Sequence, residues 1–241
     1  MRRLLGVLVL LSALVSAPAA YAQPAPDEWR VTVSPYLMGA GLSGTAAIGL
    51  LEADIDASIS DVLSHLEFGV MGIVVARRGA WGVGVDGLYS GFGATADRPP
   101  ADVDLNQTLI AAYGLRRLNA IAEVTFGARV NVFDAGITLK NVPGSASGDK
   151  VWVDPIVGIN LQLPARGRVS ARVYGEIGGF GLGSDIAWQL FPVVAIAVGD
   201  RSSLDLGYRW LGTDYDSGEG VDRFIMDTVM QGPVFGFSVR F

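Results

Sequence analysis

Cysteine is absent and histidine occurs once among the 241 residues. The first absence removes disulfide staples, thiol nucleophiles and cysteine-based metal sites. The second leaves His65 as the sole imidazole around which a Ser-His-Asp or His-Asp centre would have to be built. Charge is scarce as well, at 17% of residues against 50% hydrophobic. Setting aside Arg2 and Arg3 of the leader described below, 16 basic residues face 24 acidic ones, a formal net charge of −8. That balance excludes nucleic acid as an expected partner. Beyond the amino-terminal leader there is no run of about eighteen apolar residues, which excludes a helical membrane span. A chain this apolar must either hide its surplus in a large core or turn it outward to lipid as a closed sheet.

What is present favours the second course. Arg2 and Arg3 precede an apolar run from Leu4 to Val15 and the small-residue site Ala20-Tyr21-Ala22. This pattern reads as a secretory signal peptide over residues 1–22, followed by a Pro-containing periplasmic linker over 23–28. From Trp29 onward the hydrophobic period is two. Trp29, Val31 and Val33 share one face, and Arg30, Thr32 and Ser34 the other. Segments of this kind recur at Phe68–Arg77, Trp81–Phe92, Leu105–Leu115, Ile121–Phe133, Val151–Leu163, Val169–Ile177, Ile186–Val198 and Leu204–Thr213, before a closing strand that runs to Phe241. Abundant glycine, 32 residues, suits the bends and close approaches of a closed barrel.

The joins between segments alternate short and long. Arg78-Gly79, Arg116–Asn119, Pro164–Gly167 and Gly199–Ser202 are tight, whereas Ala94–Asp102, Lys140–Asp149, Gly178–Ser184 and Asp214–Arg223 read as longer polar or Gly-rich loops. Outer-membrane barrels have short periplasmic turns and longer extracellular loops, which sets the sidedness. The expected fold is all-β: a transmembrane, antiparallel, up-and-down β-barrel over residues 29–241 with about ten strands, twelve or eight being the alternatives. Segment 43–67 is expected to be an irregular first extracellular loop or plug, with a helical turn at Ser60–Leu66.

In the closing strand, Phe235, Phe237, Val239 and Phe241 alternate with Gly236, Ser238 and Arg240. This strand resembles the last strand of bacterial outer-membrane barrels, where a terminal Phe is an assembly signal. The blocks Gly175–Asp185 and Leu206–Tyr215, with Gly232-Pro233 before the last strand, resemble those of a family of uncharacterised proteobacterial outer-membrane β-barrel proteins. The resemblance implies fold and place, namely the outer membrane of a Gram-negative bacterium. It implies contact with membrane lipid and lipopolysaccharide, and engagement of the barrel-assembly machinery through Phe241. It carries no activity, and the chain is expected to be a monomer.

Alternation places Asp86, Glu123, Arg129, Asp154, Arg172, Glu176, Asp205, Arg209 and Arg240 on the face away from lipid. Charges withdrawn from water need partners, so a structural ion-pair network filling a narrow lumen is expected ahead of a conduction path. Trp29, Trp81, Tyr89, Tyr208 and Trp210 are read as interfacial aromatics near strand ends. Gly82–Gly87 matches G-x-G-x-x-G, yet it lies in an alternating strand with no following helix to hold a phosphate. Asp54–Ser58 opens like a calcium loop but lacks the turn glycine and the closing glutamate. No cofactor, metal site or catalytic centre is expected. The functional expectation is a structural or surface-interaction barrel. A narrow porin-like pore is the alternative, and a lipid-modifying enzyme using His65, with Ser64 and Asp61 adjacent, is the second.

Overall fold

In the computed structural model, residues 28–49, 51–60, 66–97, 100–139 and 145–241 are described. They form twelve strand segments: β1 (Arg30–Met38), β2 (Gly41–Ile48), β3 (Leu51–Ala57), β4 (Leu66–Arg78), β5 (Trp81–Asp97), β6 (Pro100–Arg117), β7 (Ala122–Leu139), β8 (Ser145–Arg166), β9 (Val169–Gly179), β10 (Ile186–Ala197), β11 (Ser202–Ser217) and β12 (Phe224–Arg240). β1 and β4 to β12 run antiparallel in sequence order, and β12 pairs back onto β1 from Thr32↔Arg240 to Met38↔Val234. The fold is therefore a closed ten-stranded barrel. Closure removes the free strand edges that would otherwise be left without partners in lipid.

Segment 43–67 departs from the irregular loop expected of it. β2 and β3 pair as a hairpin, in which β2 continues β1 along β12 in unbroken register, from Gly41↔Gln231 to Ile48↔Phe224. β1 covers only the carboxyl-terminal part of the 17-residue β12, and β2 satisfies the rest of that edge. His65, Ser64 and Asp61 lie outside the described residues, as do the leader and residues 23–27 of the linker.

Two stretches read as polar loops carry strand wherever they are described, at 94–97 and 100–102 and at 145–149. β5 and β6 stay paired through Ala96↔Ala101, and β7 and β8 through Ile137↔Ala146. A tilted strand crosses a bilayer in about 9–11 residues. β6, β7 and β8, at 18, 18 and 22 residues, overshoot it, whereas β9 and β10, at 11 and 12, do not. Beyond the membrane no lipid demands an apolar face, so alternation fades from the sequence while the backbone ladder continues. The outer rim is tall along β5–β8 and low at β9–β10, where residues 180–185 connect.

The outward face is apolar over the spanning length. Val83, Val85, Ile110, Phe126, Val153, Val157, Leu204, Leu206 and Phe235 are all exposed there, the belt a bilayer requires. Trp29, Trp81 and Tyr89 are exposed, the first two near the short-turn end. Tyr208 and Trp210 pack on one another at 4.3 Å between ring centroids, but in the middle of β11 and not at its end.

Candidate functional site

The lumen is layered. At its outer end a buried aromatic cap is built from β7, β8, β11 and β12. Trp152 stacks on Phe133 (5.4 Å) and on Tyr215 (4.0 Å), and Phe224 abuts both Trp152 and Tyr215. Leu88, Leu109, Leu211, Met226 and Met230 fill the space around and below it. The expectation of a lumen filled with charge is thus corrected for the outer half, which is packed with apolar side chains like a protein core. Trp152 donates its Nε1–H to Ser184 Oγ at 2.9 Å, so its one polar atom is satisfied.

Asp154, fully shielded from solvent, marks the underside of the cap. It stands opposite Arg129 in the β7–β8 register but is not paired with it. Its Oδ1 accepts the Ser184 backbone N–H at 2.6 Å, and its Oδ2 accepts from Asn131 Nδ2 at 2.8 Å and from Ser184 Oγ at 3.1 Å. Ser184 belongs to the low 180–185 connection, which this carboxylate ties to the wall.

Next comes a layer of ion pairs, each joining strands that are not neighbours. Arg209 on β11 reaches across to β5, where its Nη2 donates to Asp86 Oδ2 at 2.6 Å. The same guanidinium donates to Gln189 Oε1 on β10 at 2.8 Å and to the Tyr36 hydroxyl on β1. Tyr36 in turn donates to Asp86 Oδ1 at 3.0 Å. Arg209 also lies over the Phe191 ring, 5.5 Å from its centroid. Arg129 on β7 pairs with Glu176 on β9, whose second oxygen accepts from Tyr174 at 2.6 Å. Arg77 on β4 grips Glu123 on β7 with two N–H groups, at 2.9 and 3.1 Å, the bidentate arrangement that fits arginine to carboxylate.

Of the nine lumen charges named from alternation, the structure brings four together as two pairs, Asp86–Arg209 and Arg129–Glu176. Glu123 takes Arg77, a residue the sequence reading left out because it borders the Arg78-Gly79 turn, where charge reads as solvated. The parity of β4 would have found it, since Arg77 is in register with inward-facing Gly82. Asp205 takes hydroxyl donors, Ser203 and Ser238, in place of a cation. Arg172 makes no ion pair among the described residues, and Arg240 is exposed near the barrel's end. Tyr36, Tyr174 and Gln189 were also missed, because neutral inward side chains carry no charge signal.

Below the ion pairs the lumen opens into a chamber of about 520 Å³ whose wall runs from Asp86, Arg209 and Gln189 down to Gly79, Gly167 and Gly199 in the short turns. By the rule that short turns face the periplasm, this is a periplasmic vestibule. None of the aromatic cap residues lines it.

A closed ten-stranded barrel with a lipid-matched belt and a packed, charge-tied interior defines the class, an outer-membrane β-barrel protein of a Gram-negative bacterium. No protein-family model matches the sequence, and no curated protein matches it. Solved structures do. The outer-membrane protease OmpT of Escherichia coli is similar at 7% identity over 92% of this chain and 99% of that one, with a TM-score of 0.56. The translocator domain of the autotransporter NalP of Neisseria meningitidis is similar at 11% identity over 97% and 92%, TM-score 0.47. Ail of Yersinia pestis, the attachment invasion locus protein, is similar at 12% identity over 89% and 99%, TM-score 0.44. At these identities the likeness speaks to fold alone.

Proposed function

We propose that this protein is a non-conducting outer-membrane barrel of structural or surface-interaction type, monomeric and without a catalytic centre. In this reading the leader at residues 1–22 exports it, and the barrel-assembly machinery takes it through the strand that ends at Phe241. The lipid belt meets membrane lipid and lipopolysaccharide, and the tall β5–β8 wall is the part offered at the cell surface.

The observation that supports it is the double seal of the lumen, an aromatic cap above a layer of cross-barrel ion pairs. Each alone would narrow a path. Together they set a dry, apolar stretch and a fixed-charge stretch in series, and a hydrated ion would have to cross both. Reconstituted in planar bilayers, the protein should give no steady conductance; stable single-channel steps from the native chain would remove this reading in favour of the narrow pore. The enzymatic alternative is decided by replacing His65→Ala, for which an unchanged lipid A and phospholipid profile is expected.

A further inference from the structure

The vestibule has a charge opposite to that of the protein around it. Nine arginines and five carboxylates line it, in a chain whose formal net charge is −6. Three of the carboxylates, Asp86, Glu123 and Glu176, are taken by Arg209, Arg77 and Arg129. Among the described residues, Arg30, Arg117, Arg168, Arg172 and Arg240 also line the lower wall and mouth, against the acids Glu28 and Asp200. Two features point to a ligand within this field. Arg172, on β9, lines the chamber and makes no hydrogen bond or ion pair among the described residues. Asp205, on its side of the lumen, acts on Arg172 through its charge but spends its oxygens on the Ser203 and Ser238 hydroxyls, so the Arg172 guanidinium keeps its donors. Arg129, 2% exposed, spends one nitrogen on Glu176, while its Nη1 is buried with no partner. A buried donor left without a partner is costly, more so when it is charged, and such groups call for an acceptor.

We propose that the vestibule is a binding site for a small multivalent oxyanion entering from the periplasmic side, with Arg172 as its anchor. A cavity of about 520 Å³ falls in the range of small-molecule sites and is too small for a folded partner. Arginine is the fitting lining, because its planar fork grips carboxylate or phosphate oxygens two at a time and stays charged inside a low-dielectric wall. The seal above makes the chamber blind, so an anion is held there and not passed on. This goes beyond the sealed-barrel reading and does not depend on it, since a conducting barrel would keep the same arginines.

The test is calorimetric titration of the full refolded protein in non-ionic detergent with inorganic pyrophosphate and with citrate, acetate serving as the monovalent control. Near-stoichiometric binding of at least one of the two is expected, weakened by added salt and absent for acetate. Which of them binds separates phosphate from carboxylate as the carrier of the charge. Arg172→Gln should lower the affinity tenfold or more while keeping the heat-modifiable migration of the folded barrel. Should that variant fail to fold, Arg168→Gln with Arg240→Gln, both exposed at the mouth, should still lower affinity several-fold. Absence of binding to the native protein would overturn the proposal, as would unchanged affinity in whichever of these variants folds. A conducting barrel that binds refutes only the seal, and a silent barrel that does not bind refutes only this site.

Discussion

Arg209 and Asp154 show two ways of keeping a charge out of water. Arg209 is held by a carboxylate, an amide and a phenol drawn from three other strands. Asp154 has no cation and is held by three hydrogen-bond donors instead. Breaking one partner of a buried pair strands the other and costs about 3–5 kcal/mol, whereas replacing both with apolar groups is often neutral. Arg209→Met should therefore lower the urea midpoint of the folded barrel markedly, and Arg209→Met with Asp86→Leu should recover most of the loss. Asp154→Leu would leave the Ser184 N–H and the Asn131 amide without acceptors, each costing about 1–3 kcal/mol. It should also release the 180–185 connection, read as faster amide exchange at Ser184. That these residues face inward was legible in the sequence, because parity is local. Which residue meets which was not, because Arg209 finds Asp86 only after four intervening pairings have bent the sheet into a ring.

At the scale of elements, the spanning strands were legible and their outer ends were not. Within the membrane one face must be apolar, and the sequence records that as alternation. Outside it, backbone pairing continues along β5–β8, and pairing leaves little trace in composition. The β2–β3 hairpin escaped for a related reason: what organises it is the free edge of β12, which lies far along the chain. The junction of β1, β2 and β12 depends on Gly232, where an added Cβ would come within 1.8 Å of the Gly39 carbonyl oxygen. Gly232→Val should therefore reduce the heat-modifiable fraction of protein recovered in the outer membrane. Gly148→Ala in β8, where a Cβ meets nothing within 4 Å, should leave it unchanged.

For the whole molecule, the class was the easiest inference, since the bilayer imposes its demand on every strand at once. The layering of the interior was hidden, because a packed apolar cap and a lipid-facing residue are written with the same side chains, and only strand parity tells them apart. Two layers in series imply that removing one is not enough. Trp152→Ala and Arg209→Ala should each remain electrically silent in planar bilayers, while the double variant should show steady conductance.

The placement of Trp152 also makes the barrel its own optical probe. Of the five tryptophans, Trp29 and Trp81 are exposed, Trp188 and Trp210 lie on the outward face, and Trp152 alone is in the lumen. Brominated lipids should therefore extinguish the emission of outward-facing indoles and spare that of Trp152. The light that survives would come from beneath the outer rim, and a change in its colour would register any loosening of the stacked rings there.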